Sequence, residues 1–159
     1  MNCSIIPARE EHAELILDFI RQLAVYEKME QDVVATIGNI RHHLFEKKSA
    51  HCVLAFEEDI AVGFALYFYN FSTFLGKQGL YLEDLFVVPA HRGKGYGKKL
   101  LLYIAQIALE NNCGRMEWSV LNWNQPAIDF YESLGAVPMN EWMVYRLNEE
   151  KLKSLSCAE

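Results

Sequence analysis

This chain of 159 residues lacks the paired spacing of a metal site or a disulfide framework. Its four cysteines, Cys3, Cys52, Cys113 and Cys157, stand far apart, so two or three read as core residues and Cys157 as a free thiol of the tail. The histidines supply no ligand set either, since His42-His43 shares its helix with Arg41 and Lys47 and reads as a solvated face. No metal is expected. Also missing is any apolar run near the roughly 18 residues that span a bilayer, and Glu10, Glu11 and Glu14 interrupt any secretory hydrophobic region. A cytoplasmic location with no membrane partner is expected. A basic excess is absent as well: net charge is −6 and the pI is near 5.4. That balance disfavours a nucleic-acid partner and favours a small cation. With no repeat, linker or low-complexity run, one domain over residues 1–159 is expected.

What is present is a globular composition, 52% hydrophobic and 23% charged, which excludes a disordered chain. Cys3–Pro7 reads as a short strand. Leu15, Ile16, Phe19, Ile20 and Leu23 recur at helical spacing and predict a helix over 10–26. A second helix is expected over 36–46, with Thr36 as its cap and Ile37, Ile40 and Leu44 as its buried stripe. His51–Glu57 and Ile60–Phe71 read as strands around the acidic turn Glu58-Asp59, and 72–79 as a loop. Leu80–Val88 is nearly continuous in apolar character, as a strand buried on both faces should be, and Pro89 ends it. A helix over 96–112, a strand Met116–Leu121, a helix running from the cap Asn124 to Gly135, a strand Met143–Leu147 and a weakly helical tail Glu149–Leu155 complete the chain. The order β-α-α-β-β-β-α-β-α-β predicts an α/β (α+β) fold, a mixed sheet with helices on both faces.

The most informative stretch joins the central strand to the next helix: Arg92-Gly93-Lys94-Gly95-Tyr96-Gly97. A glycine-rich, basic turn at a helix N-terminus presents unsatisfied N–H donors to an anion, and the three glycines are expected to use positive φ and allow close approach. Two nucleotide fingerprints fail here. The Walker pattern would need glycine at Arg92 and Ser or Thr at Lys99, and the dinucleotide fingerprint needs a different glycine spacing.

What the stretch does resemble is the Arg/Gln-x-x-Gly-x-Gly/Ala pyrophosphate loop of the GNAT superfamily of acyl-CoA N-acyltransferases. A second element of that superfamily stands downstream as Asn124-Gln-Pro-Ala127-Ile-Asp-Phe130-Tyr131-Glu-Ser-Leu-Gly135-Ala136. Within the superfamily the chain is similar to the diamine (spermidine/spermine) and thialysine acetyltransferase branch, through Leu23-Ala-Val-Tyr26-Glu27-Lys-Met, Leu80-Tyr-Leu-Glu83-Asp84-Leu-Phe-Val, and Val120-Leu-Asn-Trp123-Asn124-Gln-Pro-Ala. The resemblance implies the GNAT fold, a mixed and mostly antiparallel sheet. It implies acetyl-CoA as co-substrate, held at Arg92, Gly93, Lys94, Gly95, Tyr96, Gly97 and Lys98. Phe86, Val87 and Val88 would line the pantetheine, a backbone N–H near Val87 would polarise the thioester, and Asn124, Ala127 and Tyr131 would complete the cofactor contacts.

Acyl transfer to an amine also needs a base, because a lysine-like amine with a pKa near ~10.4 arrives protonated. Glu83 and Asp84 stand on the strand that should border the thioester. As neighbours on a strand they are expected to face opposite sides. The resemblance gives Glu83 the role of base, through water, and Tyr131 that of the acid that protonates the departing thiolate. It further implies a homodimer and an acidic substrate groove with Tyr26, Glu27, Glu83, Asp84 and Glu141. Two departures bear on the substrate. The segment between Gly135 and Trp142 is shorter than in the branch, and Asn122 stands where an acid often precedes the Trp-Asn pair. The acceptor therefore stays open between polyamines, lysine-like amino acids such as thialysine and some other small amine, with protein N-termini or lysines ranked behind them. A non-catalytic acyl-CoA sensor or scaffold is the competing class.

Overall fold

The apolar, β-branched and aromatic run from residue 51 to 87 folds into the heart of a five-stranded sheet, because its alternating residues find helices to bury against on both sides. In the computed structural model, which describes residues 3–157, the strands are β1 (Cys3–Pro7), β2 (His51–Glu57), β3 (Ile60–Ser72), β4 (Lys77–Val87) and β5 (Met116–Glu117). They lie in the order β1-β2-β3-β4-β5. The first three pairings are antiparallel and β4–β5 is parallel. The chain divides into two compact units, Met1–Leu121 and Asn122–Glu159, and the whole sheet belongs to the first.

Helix α1 (Ala13–Tyr26) buries Ile16, Leu17 and Phe19 on one face of this sheet, against Leu54, Phe64, Leu66 and Phe86. Phe19 stacks on Phe64 with ring centres 5.6 Å apart and meets Phe86 at 6.2 Å. The predicted start at residue 10 is a separate 3-10 turn, Glu10–His12. Thr36 caps α2 (Ile37–Ile40) as expected: its Oγ1 accepts from Asn39 N–H at 3.1 Å, and Asn39 Oδ1 accepts from Thr36 N–H at 2.9 Å. The helix then widens into a π-helical stretch, Arg41–Glu46. Helix α3 (Tyr96–Glu110) buries Leu100, Leu101 and Ile104 on the sheet's other side.

Two strands differ from expectation. β4 begins at Lys77, so the expected loop 72–79 shrinks to a tight connection between β3 and β4. β5 keeps only Met116 and Glu117 of the expected Met116–Leu121, because only Leu80 and Tyr81 of β4 pair with it.

The second unit holds α4 (Gln125–Ser133) and α5 (Glu149–Ser156). The expected strand Met143–Leu147 is not formed: the segment has no ladder partner among the described residues, and its side chains are exposed. β-propensity alone does not make a strand, since an extended segment satisfies its N–H and C=O groups only against a neighbour.

Candidate active site

The register between β3 and β4 sets the face on which Asp84 lies. Leu66 pairs with Asp84, but the next residue, Tyr67, pairs with Leu82, so the ladder skips Glu83. One extra residue on β4 makes a β-bulge and reverses the strand's facing from that point on. Asp84 therefore shares a face with Leu66 and the α1 layer, while Leu82 shares the other with Tyr67. Glu83, at the bulge, has no ladder partner on β3, and it is exposed where Asp84 is half-buried.

The electrostatics agree. Asp84 is half-buried and its carboxyl is pushed up to about 7, first by burial, then by the charge of Glu83 and that of Glu27. Glu27 caps the C-terminus of α1, donating its N–H to Leu23 C=O at 2.9 Å, and burial raises its carboxyl too. Glu83 is exposed. Three of the expected substrate-groove acids thus form one coupled negative cluster. A carboxyl near 7 is matched to proton transfer at neutral pH, whereas an ordinary one is a weak base there.

The turn after β4 carries its donors outward. Gly93 and Gly95 adopt φ of +77° and +83°, and nothing lies within 4 Å of where a Cβ would sit on either. Gly97 does not share their conformation: it lies in the first turn of α3, not in the left-handed region. Gly95 is the N-cap of α3 and brings no side chain to the first-turn N–H groups. The basic residues are placed differently from one another. Arg92 Nε donates to Val87 C=O at 2.9 Å, and its guanidinium lies 4.4 Å from the Tyr26 ring centre and 5.5 Å from that of Phe86. Tyr26 thus packs on the turn's arginine, an arrangement worth about 0.5–2 kcal/mol. Lys94 Nζ pairs with Glu57, at 3.0 and 3.1 Å from its two oxygens, while Lys98 is exposed.

Val88 N–H donates to Val62 C=O of β3 at 2.9 Å. N–H groups alternate sides along an extended strand, so Val87 N–H points away from β3. Its carbonyl points the same way, toward Arg92. β5 pairs with β4 only at Leu80 and Tyr81, which leaves that edge beside Phe86 and Val87 without a ladder partner in the first unit.

In the second unit Asn124 caps α4 as expected, its Oδ1 accepting from Ala127 N–H at 3.4 Å. Gly135, with φ +86°, ends the helix, and Ala136 N–H donates to Tyr131 C=O at 3.2 Å. Tyr131 is half-buried rather than part of a sealed core, and its ring meets Phe130 at 5.4 Å. Glu141 is exposed in the turn between Met139 and Trp142. Sequence reasoning missed Glu57 and His91, whose 2.7 Å contact joins residues 34 positions apart. In the sequence Glu57 reads only as the end of a strand before the acidic turn Glu58-Asp59.

Among solved structures the chain is similar to an integron cassette protein from the mobile metagenome of V. cholerae, with a TM-score of 0.82, 29% identity and 99% of each chain covered. It is 34% identical to the thialysine N-epsilon-acetyltransferase of Bos taurus over 94% of each chain. It is 44% identical to the L-ornithine N5-acetyltransferase NATA1 of Arabidopsis thaliana, over 60% of this chain and 42% of that one. The class is that of an N-acetyltransferase. The chain belongs to the acetyltransferase (GNAT) family, whose profile matches residues 13–136. Among the described residues no group of three or more His, Cys, Asp or Glu is placed to hold a metal, and no helix is long and apolar enough to cross a membrane.

Proposed function

We propose that the chain moves an acetyl group from acetyl-CoA to a primary amine of a small cationic molecule, a polyamine or a lysine-like amine such as thialysine, by direct attack in a ternary complex. The observation that carries this reading is the coupled cluster Glu27, Glu83 and Asp84 on and beside the strand that leads into the diphosphate turn. Three acids attract a diamine's charge. They also ease its deprotonation. Moving a proton from an ammonium near 10.4 to an ordinary carboxylate is uphill by roughly 8 kcal/mol, but to a carboxyl near 7 by only about 5. Exposed Glu83 draws the proton off through water, and Asp84 beside it, the carboxyl near 7, receives it.

In this reading the first-turn N–H groups of α3, with Gly93 and Gly95, hold the diphosphate, Arg92, Gly97 and Lys98 lie around it, and Lys94 and Tyr96 belong to the same turn with their side chains on Glu57. The turn fits such a group, since the space a Cβ would fill at both positive-φ glycines is open. The pantetheine arm lies along the unpaired edge at Phe86, Val87 and Val88, and Val87 N–H polarises the thioester carbonyl. Asn124 and Ala127 contact the arm, and Tyr131 gives its proton to the leaving thiolate. The relatives named for thialysine and L-ornithine support an amino acid with a terminal amine as acceptor.

The homodimer belongs to the same reading. Trp142, Met143, Val144 and Tyr145 are 74–87% exposed, a hydrophobic segment suited to a second copy. Val144→Lys is expected to shift the protein from dimer to monomer in sedimentation.

Thiol release from acetyl-CoA, measured against spermidine, thialysine, lysine, ornithine and short peptides, tests the function. Turnover with the small amines and none with peptides is expected. Coenzyme A binding with no turnover on any amine would overturn it.

A further inference from the structure

Glu57 takes no part in the acetyl transfer outlined above, yet three side chains of the turn converge on it. Tyr96 Oη donates to Glu57 Oε1 at 2.6 Å, Lys94 Nζ donates to both oxygens at 3.0 and 3.1 Å, and His91 Nδ1 lies 2.7 Å from Oε2. The carboxylate is fixed from behind: Glu57 is the last residue of β2, paired with Cys3 of β1 and with Ile60 of β3. Its side chain is only 15% exposed, and Tyr96 is 2% exposed. Such convergence holds Glu57 ionised down to about pH 2, the Tyr96 bond first, then that of Lys94. The donors stand at residues 91, 94 and 96, so they bracket Gly93 and Gly95, the two positions in the left-handed region. Glycine in that region gives a turn the shape an anion needs but also the freedom to leave it. Anchors on either side remove that freedom before a ligand arrives, which lowers the cost of binding.

We propose that Glu57 is a positioning residue of the diphosphate turn, and that Lys94 serves this brace rather than the phosphates. The proposal rests on reading the turn as the coenzyme A site. It makes a prediction whose sign is decisive. A carboxylate that merely sat near a diphosphate would repel it, so removing its charge would strengthen binding. A brace works the other way.

Calorimetric titration with coenzyme A and steady-state kinetics with acetyl-CoA are to be run on the wild type, Glu57→Gln, Tyr96→Phe, Lys94→Met and Asp59→Asn. The last removes the same charge from the neighbouring exposed turn and touches none of the braced groups. Glu57→Gln, Tyr96→Phe and Lys94→Met are each expected to weaken coenzyme A binding and raise the KM for acetyl-CoA by about tenfold. Their kcat should stay within about twofold, and Asp59→Asn should match the wild type. Backbone amides 93–98 should exchange faster in Glu57→Gln and in Tyr96→Phe. Tyr96→Phe keeps the buried ring, so it decides the matter if Glu57→Gln fails to fold. Undiminished or tighter binding by Glu57→Gln or Tyr96→Phe overturns the brace. Weakening confined to Lys94→Met overturns it too and makes that lysine a phosphate ligand. Wild-type protein that binds no coenzyme A overturns the reading of the turn, and the brace with it.

Discussion

Glu57 and Asp84 are both carboxylates on the same sheet, on strands separated only by β3, and their surroundings drive them in opposite directions. Glu57 is ringed by donors from Tyr96, Lys94 and His91 and is held down at about 2. Asp84 is half-buried among Glu83 and Glu27 and is pushed up to about 7. A carboxylate with satisfied hydrogen bonds is fixed in charge across the physiological range and suits a structural anchor. One that is desolvated beside like charges changes its charge near neutrality and suits proton transfer. The same functional group serves as a bracket at one end of the turn and as a titrating group on the strand that feeds it. Residue type distinguishes nothing here; the neighbours decide.

The largest effect that would break this contrast is on catalysis. Asp84→Asn and Glu83→Gln should each lower kcat/KM about 100- to 1000-fold. Asp84→Asn should also remove the ionisation near 7 from the pH–rate profile; a profile unchanged in that variant would strip Asp84 of its role. Next comes a change that leaves both acids intact. Tyr131→Phe should lower kcat about 10- to 100-fold with coenzyme A affinity within twofold, and an equal fall in affinity would count against proton donation by the phenol. Last, and most diagnostic of the two environments, is the pH dependence of stability. Between the ordinary aspartate value of 3.8 and about 7 the folded chain holds a proton on Asp84 that the unfolded chain has released, so stability falls as pH rises through that window. Asp84→Asn should be more stable than the wild type by about 4 kcal/mol at pH 8 and no different at pH 3.5. For Glu57 the sign reverses. Its stabilising contribution is present above 4.5 and is lost as pH falls toward about 2, so Glu57→Gln should flatten the acid limb of the stability curve. Urea denaturation at each pH reads both.

Local chemistry made much of the fold legible. Thr36 and Asn124 announced their helices because a cap acts within three residues, and Gly135 announced an end for the same reason. The turn at 92–97 and the acids at 83 and 84 could be picked out because strand, glycines and helix are contiguous. Relations between distant segments could not be read. The bulge at Glu83 exists only in the pairing of β4 with β3, so no pattern within β4 reveals which way Asp84 faces. Glu57 meets Lys94 and Tyr96 across 37 and 39 residues of chain. Met143–Leu147 has the composition of a strand, but a strand is a property of two segments, and the partner was not in the pattern.

The bulge in β4 also sets what heredity can do with this site. Replacing Glu83 or Asp84 changes one side chain and leaves the framework alone. Deleting one residue between Leu82 and Asp84 would instead restore strict alternation and turn Lys77–Leu82 over, sending Leu80 and Leu82 out of the α3 layer. The carboxylate cluster is therefore encoded in chain length as well as in residue identity. Drift by substitution can tune its acidity, whereas gaining or losing the arrangement takes an insertion or a deletion.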